Sequence, residues 1–357
     1  MKFATGRFIA AMALAMAFGG VAQADTFDGG GDGTSWEDAL NWAADAVPLN
    51  NGSGNTLINN NHQVVFDADT WTALNTAGNL QSATQYRIAR LLMGDSTAGG
   101  ANGTHSLTFD FGASGASNNV LVTNGTSAVI GGRANKFSTL NIVSGITNVE
   151  ANRVRVGTAT GGSGTINVSG GEFITGKGGL ELGNVAGGGD GTLNITGGSF
   201  ASRNDVEIGD SGTFHIAGSS ATVGVGTFGT TDGYWEQDAG GMLRIGLDAG
   251  GSSVILVDDV GDDGAGTQGN VVFAAGSLLD PYDLGGAAEN VWTTVMTWEG
   301  TLTGAPTLSA TAISSGWESQ ISGNDLQVRL TAVAVPEPSS FALLAIGGLA
   351  MVRRRRK

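Results

Sequence analysis

Between Arg87 and Val257 the chain repeats short apolar triplets, most of them with a polar centre, each closed by glycine. Ala128-Val129-Ile130, Val154-Arg155-Val156, Leu180-Glu181-Leu182 and Val206-Glu207-Ile208 end at Gly131, Gly157, Gly183 and Gly209, 26 residues apart each time. A second set follows in step: Leu140-Asn141-Ile142, Ile166-Asn167-Val168, Leu193-Asn194-Ile195 and Phe214-His215-Ile216. Small turns come next, at Ser144-Gly145, Gly170-Gly171, Gly197-Gly198 and Gly218-Ser219. Weaker copies flank the array at Leu91-Leu92-Met93-Gly94 and Leu243-Arg244-Ile245-Gly246.

Alternation with period two is the strand signature, and it sends the outer residues of each triplet to one face and the middle one to the other. Two short strands per repeat, joined by glycine turns, predict an all-β fold, a right-handed parallel β-helix or solenoid. One coil cannot bury its apolar face alone, so neighbours must stack, about 4.8 Å apart. Antiparallel hairpins in a sandwich would not keep one strand-turn-strand order at fixed spacing. The expected division is a signal peptide over 1–24, an N-terminal cap over 25–86 and β-helix repeats over 87–268. A C-terminal β segment follows over 269–333, then a sorting tail over 334–357.

Both flanks differ from the centre. Trp36, Trp42 and Trp71 lie in front of the central repeats, and Trp235, Trp292, Trp298 and Trp317 lie behind them. A solenoid exposes an apolar cross-section at each end, and irregular segments rich in bulky aromatics are expected to plug it. From Asn270 to Leu330 the chain alternates again, as in Asp325-Leu326-Gln327-Val328-Arg329-Leu330. This predicts further strands that terminate the helix or form a small sheet.

The two chain ends carry addresses. Lys2 and Arg7 precede the apolar run Phe8 to Phe18, and Ala22-Gln23-Ala24 supplies small residues at Ala22 and Ala24 for signal cleavage. At the other end Pro336-Glu337-Pro338 precedes the apolar run Phe341 to Val352 and the basic cluster Arg353, Arg354, Arg355, Arg356 and Lys357. Twelve apolar residues make a helix of about 18 Å. A bilayer core of about 30 Å needs more, which suits a transient anchor. The basic cluster would stay on the cytoplasmic side. The three elements in this order resemble the PEP-CTERM sorting signal of Gram-negative bacteria. That resemblance implies export, transient holding in the inner membrane and processing by an exosortase-type enzyme near Pro336, Glu337 and Pro338. The central repeats, typified by Gly191 to Gly198, resemble the autotransporter-type, pectin-lyase-like β-helices of large secreted bacterial proteins. No outer-membrane barrel segment accompanies them, so autotransport is not implied.

Composition narrows the partners. There is no cysteine, so disulfides, thiol chemistry and cysteine-ligated metal are excluded. Glycine is 61 of 357 residues, and its fixed spacing argues for corners of a fold in place of a flexible linker. Without Lys2, Arg7 and the five tail cations, the 17 basic residues fall to 10; without Glu337, the 32 acidic ones fall to 31. The body between the two addresses therefore carries about −21, which repels nucleic acid and anionic lipid.

Candidate chemistry is sparse. In register, Val129, Arg155, Glu181 and Glu207 form one outward column, with Glu181 and Glu207 about 5 Å apart, near the carboxyl separation of retaining glycosidases. No aromatic platform or second basic residue is recognisable beside them, and a polar column on a repeat protein is most simply its solvated face. Asn141, Asn167, Asn194 and His215 form a second column, expected to be an amide ladder. His62 and His105 have no recognisable partner spacing. Asp258, Asp259, Asp262 and Asp263, closed by Gly264, offer oxygens for Ca²⁺ without the spacing of an EF-hand loop. Gly-Gly-Gly-Asp-Gly-Thr occurs twice, at Gly29 and at Gly187, without the tandem repetition of a calcium-binding β-roll. The expected function is a secreted or surface structural protein, adhesive or spacing, without catalytic residues. It would work in the extracellular matrix, with extracellular polysaccharide as an open partner, no nucleic-acid partner and no cofactor unless calcium. A carbohydrate-active enzyme of pectin-lyase-like fold and a calcium-dependent glycan-binding module stand as alternatives.

Overall fold

Each triplet of the repeat forms a strand, and each strand pairs in parallel with its counterpart one coil away. The computed structural model describes residues 25–331 except 44, 46, 49–55, 59–62, 78–79, 81–83, 89, 95–102, 124–126, 151, 177, 184–187, 227–232 and 259–268. Val154–Val156 pairs with Ala128–Ile130 on one side and Leu180–Leu182 on the other, residue for residue. Ser163–Val168 pairs in the same way with Lys136–Ile142 and Asp190–Ile195. The chain is a parallel β-helix.

A coil holds three strands, one more than the triplets predict. Ile146–Val149, Glu172–Thr175, Ser199–Ser202 and Thr222–Val225 build a third parallel sheet after the small turns. Its inward positions include Thr147, Thr175 and Ser202, all fully buried, so the apolar alternation that marks the other two sheets is broken here. Thr175 Oγ1 donates to Ser202 Oγ at 2.9 Å inside the coil, which satisfies two buried hydroxyls with one bond.

Among the described residues the sheets hold ten, ten and nine strands. The ladders run beyond the central repeats in both directions: Thr56–Ile58 and Leu91–Met93 precede them in the first sheet, and Tyr234–Gln237, Asn270–Phe273 and Leu302–Thr303 follow. Leu243-Arg244-Ile245 belongs to the second sheet, within Met242–Asp248. At the far end the direction reverses. Asp325–Leu330 pairs antiparallel with Thr293–Trp298, and Trp317–Ser322 closes a hairpin on it.

The core is one cluster running the length of the coils. Phe173 and Phe200 lie 5.7 Å apart, Phe200 and Phe214 5.6 Å, and Phe214 and Trp235 5.1 Å. Rings from all three sheets thus meet on the axis. Trp235 is a coil residue paired with Val206, so it does not plug an end as its place behind the central repeats suggests. Trp298, paired with Val257, lies on the last parallel rung of the third sheet, beside the C-terminal hairpin. Trp36, Trp42 and Trp71 do gather at the N-terminal end, packed with Phe27, Phe66, Tyr86 and Phe111. Trp292 is partly exposed, with Arg329 stacked 4.4 Å from its ring centre.

The first Gly-Gly-Gly-Asp-Gly-Thr segment explains itself as a turn that holds this aromatic cap. Buried Asn41 accepts from the backbone N–H groups of Gly31 (3.0 Å) and Gly33 (2.9 Å) and donates to Asp32 (2.7 Å) and the Ser35 carbonyl (2.9 Å). Asp32 also accepts from the Ser35 hydroxyl and from the backbone N–H groups of Ser35 and Thr34, and these bonds, the hydroxyl's first, hold its carboxyl below the usual range. Asn41→Ala strands four polar partners, and buried unmet groups cost about 1–3 kcal/mol each. Some relax to water, so a loss of about 2–3 kcal/mol is expected from urea denaturation. Early loss of the near-ultraviolet tryptophan signal should accompany it. An unchanged midpoint would show that the turn does not hold the cap.

Candidate functional site

The outer face of the first sheet carries the densest group of charges among the described residues. Register places Val129, Arg155, Glu181 and Glu207 side by side, as the repeat predicts, and adds Glu236 on the next rung. Arg153, one residue before its strand, reaches across the coils. Its Nε donates to the Gly178 carbonyl at 2.8 Å, and its Nη1 to Glu207 at 2.7 Å and Glu181 at 3.4 Å. Arg155 Nε donates to Glu181 at 3.1 Å. Asp205 lies 3.6 Å from Arg153 Nη2, the longest contact of the set.

The sequence had suggested no second basic residue or aromatic ring beside the glutamates, and both are present. Arg153 lies outside the strand, where period-two alternation does not fix a side chain's direction. Tyr234 enters through a coil lengthened to 29 residues, since Asp205 pairs with it. Only the Arg-x-Arg spacing at 153 and 155 hinted at a paired cation.

Burial, and after it the crowding of carboxylates, shifts the acids of this face. The Asp205 carboxyl is pushed up to about 6, first by burial and then by Glu207, with Arg153 opposing from too far to win. Burial, Asp238 and Glu207 also raise Glu236. Burial and the same carboxylates raise the Tyr234 phenol. Glu181 and Glu207 are each tied to a guanidinium, the arrangement of a network that holds coils together.

The second column is the amide ladder its spacing predicts. Asn141 donates to Thr108 at 3.1 Å, Asn167 to Asn141 at 2.8 Å and Asn194 to Asn167 at 2.9 Å. His215 continues the chain, with Nδ1 3.0 Å from Asn194 Oδ1 and Nε2 2.7 Å from the Tyr282 hydroxyl. The contact atom of Asn194 is its amide oxygen, which can only accept, so His215 Nδ1 carries the proton of this bond. Tyr282 then donates to Nε2, and all donors point the same way along the rod. Burial lowers the His215 pKa, and Arg244 adds to the effect, which favours the neutral ring that this chain of bonds requires.

Of the other sequence candidates, His105 is fully buried, facing the coil interior opposite Ser138. Asp258 follows the third-sheet strand Ile255–Val257, and its backbone N–H donates to the Val225 carbonyl. Asp259, Asp262 and Asp263 lie outside the described residues, as do His62, the cleavage residues Ala22 and Ala24 and the whole C-terminal tail. Among the described residues no group of three or more metal-ligating side chains could hold a metal ion. No helix among them is long and apolar enough to cross a membrane.

Residues 334–357 match the PEP-CTERM protein-sorting motif. The chain carries an exosortase sorting signal. It is therefore an exported, exosortase-processed surface protein, and passage through a membrane with transient anchoring comes with the motif. The matched span contains Pro336, Glu337 and Pro338 and the run from Arg353 to Lys357. No autotransporter or pectin-lyase family matches, so that likeness rests on the parallel β architecture alone. No curated protein and no solved structure matches the chain.

Proposed function

We propose that the mature body is a non-enzymatic, rigid rod in the extracellular matrix or at the cell surface, serving as spacer and adhesive face. The observation that carries this reading is the unbroken run of parallel ladders, ten strands deep in the first sheet. At about 4.8 Å per rung such a stack extends about 40 Å. Its outer charges support the same reading: Glu181 and Glu207 of the first sheet are engaged with Arg153 and Arg155 across the coils. The acidic body keeps the rod soluble and away from nucleic acid.

Fractionation of the producing cells tests the reading, comparing tagged full-length chain with one lacking Val335 to Lys357. The full chain should reach the surface or matrix as a shortened product, and the truncated chain should lose that destination while melting at nearly the same temperature. Equal distribution of both forms would overturn the surface role. A large loss of stability on truncation would show that the tail packs on the body.

A further inference from the structure

The second sheet turns outward a face on which two columns carry only hydroxyl, amide and imidazole groups. Ser106, Thr139, Thr165, Thr192 and Thr213 form one column, and Thr108, Asn141, Asn167, Asn194 and His215 the other. No carboxylate, ammonium or guanidinium interrupts either column over these five rungs, although the chain carries a net charge of −15. The side chains of both columns are partly exposed. Rungs stand about 4.8 Å apart and the columns about 6.6 Å apart, two residues along each strand.

This face is a fixed lattice with bonding capacity left over. The hydroxyls of Ser106, Thr139, Thr165, Thr192 and Thr213 make no hydrogen bond among the described residues, whereas Thr108 accepts from Asn141. Each Asn of the ladder spends one N–H on its neighbour and keeps the other, and each carbonyl oxygen keeps a lone pair. The ladder bonds hold the amides in one orientation, so a ligand would not have to order them. On the Lys136–Ile142 strand, Phe137 flanks the threonine column and is 48% exposed; just past the strand, Val143 flanks the asparagine column and is 37% exposed.

We propose that this face binds an uncharged polysaccharide chain laid along the rod axis. The occupant must donate and accept at every rung, so it is a polymer with repeating hydroxyls. It must be uncharged, because the columns offer no cation and the acidic body repels polyanions. Phe137 gives it an apolar plane for the C–H face of one sugar ring. A peptide strand would instead seek a sheet edge, where backbone groups are unpaired. Each rung contributes weakly, and the parallel repeat of protein and ligand makes the sum useful. The proposal names the ligand of the adhesive rod described above and rests on that reading.

The test is co-sedimentation of purified full-length protein with four insoluble neutral polysaccharides, cellulose, curdlan, chitin and mannan, with calcium alginate gel as the anionic comparison. Retention by at least one neutral polymer, and not by alginate, is expected. The double variant Thr165→Glu, Thr192→Glu places two charges in the middle of the strip and should weaken retention by about tenfold or more, through unpaired charge against a neutral ligand. Phe137→Ala should weaken it by a few-fold, and Glu236→Gln on the first sheet should leave it unchanged. Circular dichroism and melting verify that each variant is folded; if the double variant is not, Phe137→Ala and single Thr192→Glu carry the test. Retention by none of the four polymers, or retention indifferent to the folded strip variants, overturns the proposal. The cellular destination is read separately by fractionation, so a failure here leaves the exported rod standing without this ligand.

Discussion

Gly157→Ala is expected to lower the stability of the whole rod by about 3 kcal/mol or more, because a side chain there meets backbone that cannot yield. Gly157 has φ +69°, and an added Cβ would lie 2.2 Å from the Asp190 carbonyl oxygen and 2.7 Å from the Gly191 nitrogen. Those atoms begin the second-sheet strand of the next coil, which is itself fixed by six paired residues. A left-handed conformation alone costs a non-glycine residue about 1–2 kcal/mol. Gly161 separates the two effects. It has φ +75°, yet an added Cβ would meet nothing closer than the Asn135 side chain at 3.8 Å. Gly161→Ala should therefore cost only the conformational part, about 1–2 kcal/mol. Urea midpoints of the two variants decide the matter, and equal losses would mean that the corner relaxes and that the close approach of coils is not what demands glycine.

The same corner explains what could be read from the chain and what could not. Wherever the coil length stays at 26, the register of both outward columns is legible to the residue, since Val154 pairs with Leu180 and Leu180 with Val206. Corner glycines make that spacing visible: Gly131, Gly157 and Gly183 all take positive φ, and only Gly209 does not. The third sheet is not legible in the sequence because its inward positions include Thr147, Thr175 and Ser202, which break the apolar alternation. Trp235 falls outside the visible repeat for a related reason, its coil being longer than the one that precedes it. In the charged group, the glutamates were legible from spacing alone. Arg153 was not, because it lies off the strand and its direction is set by the Gly178 carbonyl and two carboxylates it reaches on later coils. The calcium reading has no structural counterpart to set against it, since three of its four aspartates lie outside the described residues.

Arg153→Met is the substitution expected to damage the first sheet most, and its effect should depend on pH. The guanidinium faces Glu181 on the next coil and both Glu207 and Asp205 on the coil after it, and the Glu181 side chain is only 9% exposed. Removing one partner of a fully buried ion pair costs about 3–5 kcal/mol. Arg153 and Glu207 are 23% and 24% exposed, so solvent screening brings the expected loss at neutral pH to about 2–3 kcal/mol. Asp205 supplies the sign of the pH dependence. Its folded-state pKa of about 6 stands above its ordinary 3.8, so between those values the native protein binds the proton more tightly than the unfolded chain. Stability contributed by this group is present at low pH and lost as pH rises through about 6, the reverse of an ordinary ion-paired carboxylate. Without Arg153 the opposing cation is gone and the crowding of Asp205, Glu207 and Glu236 worsens, so the deficit of Arg153→Met should shrink when measured at about pH 5. Asp205→Asn should move the other way, gaining about 1 kcal/mol at pH 7 after allowance for its partial exposure and flattening the dependence between about pH 4 and 6. Urea titrations of the three proteins at both pH values test this. A deficit for Arg153→Met that grows on acidification, or an Asp205→Asn protein that is weaker at neutral pH, would show that Asp205 is held by Arg153 as a stabilising pair and that burial and Glu207 do not dominate it.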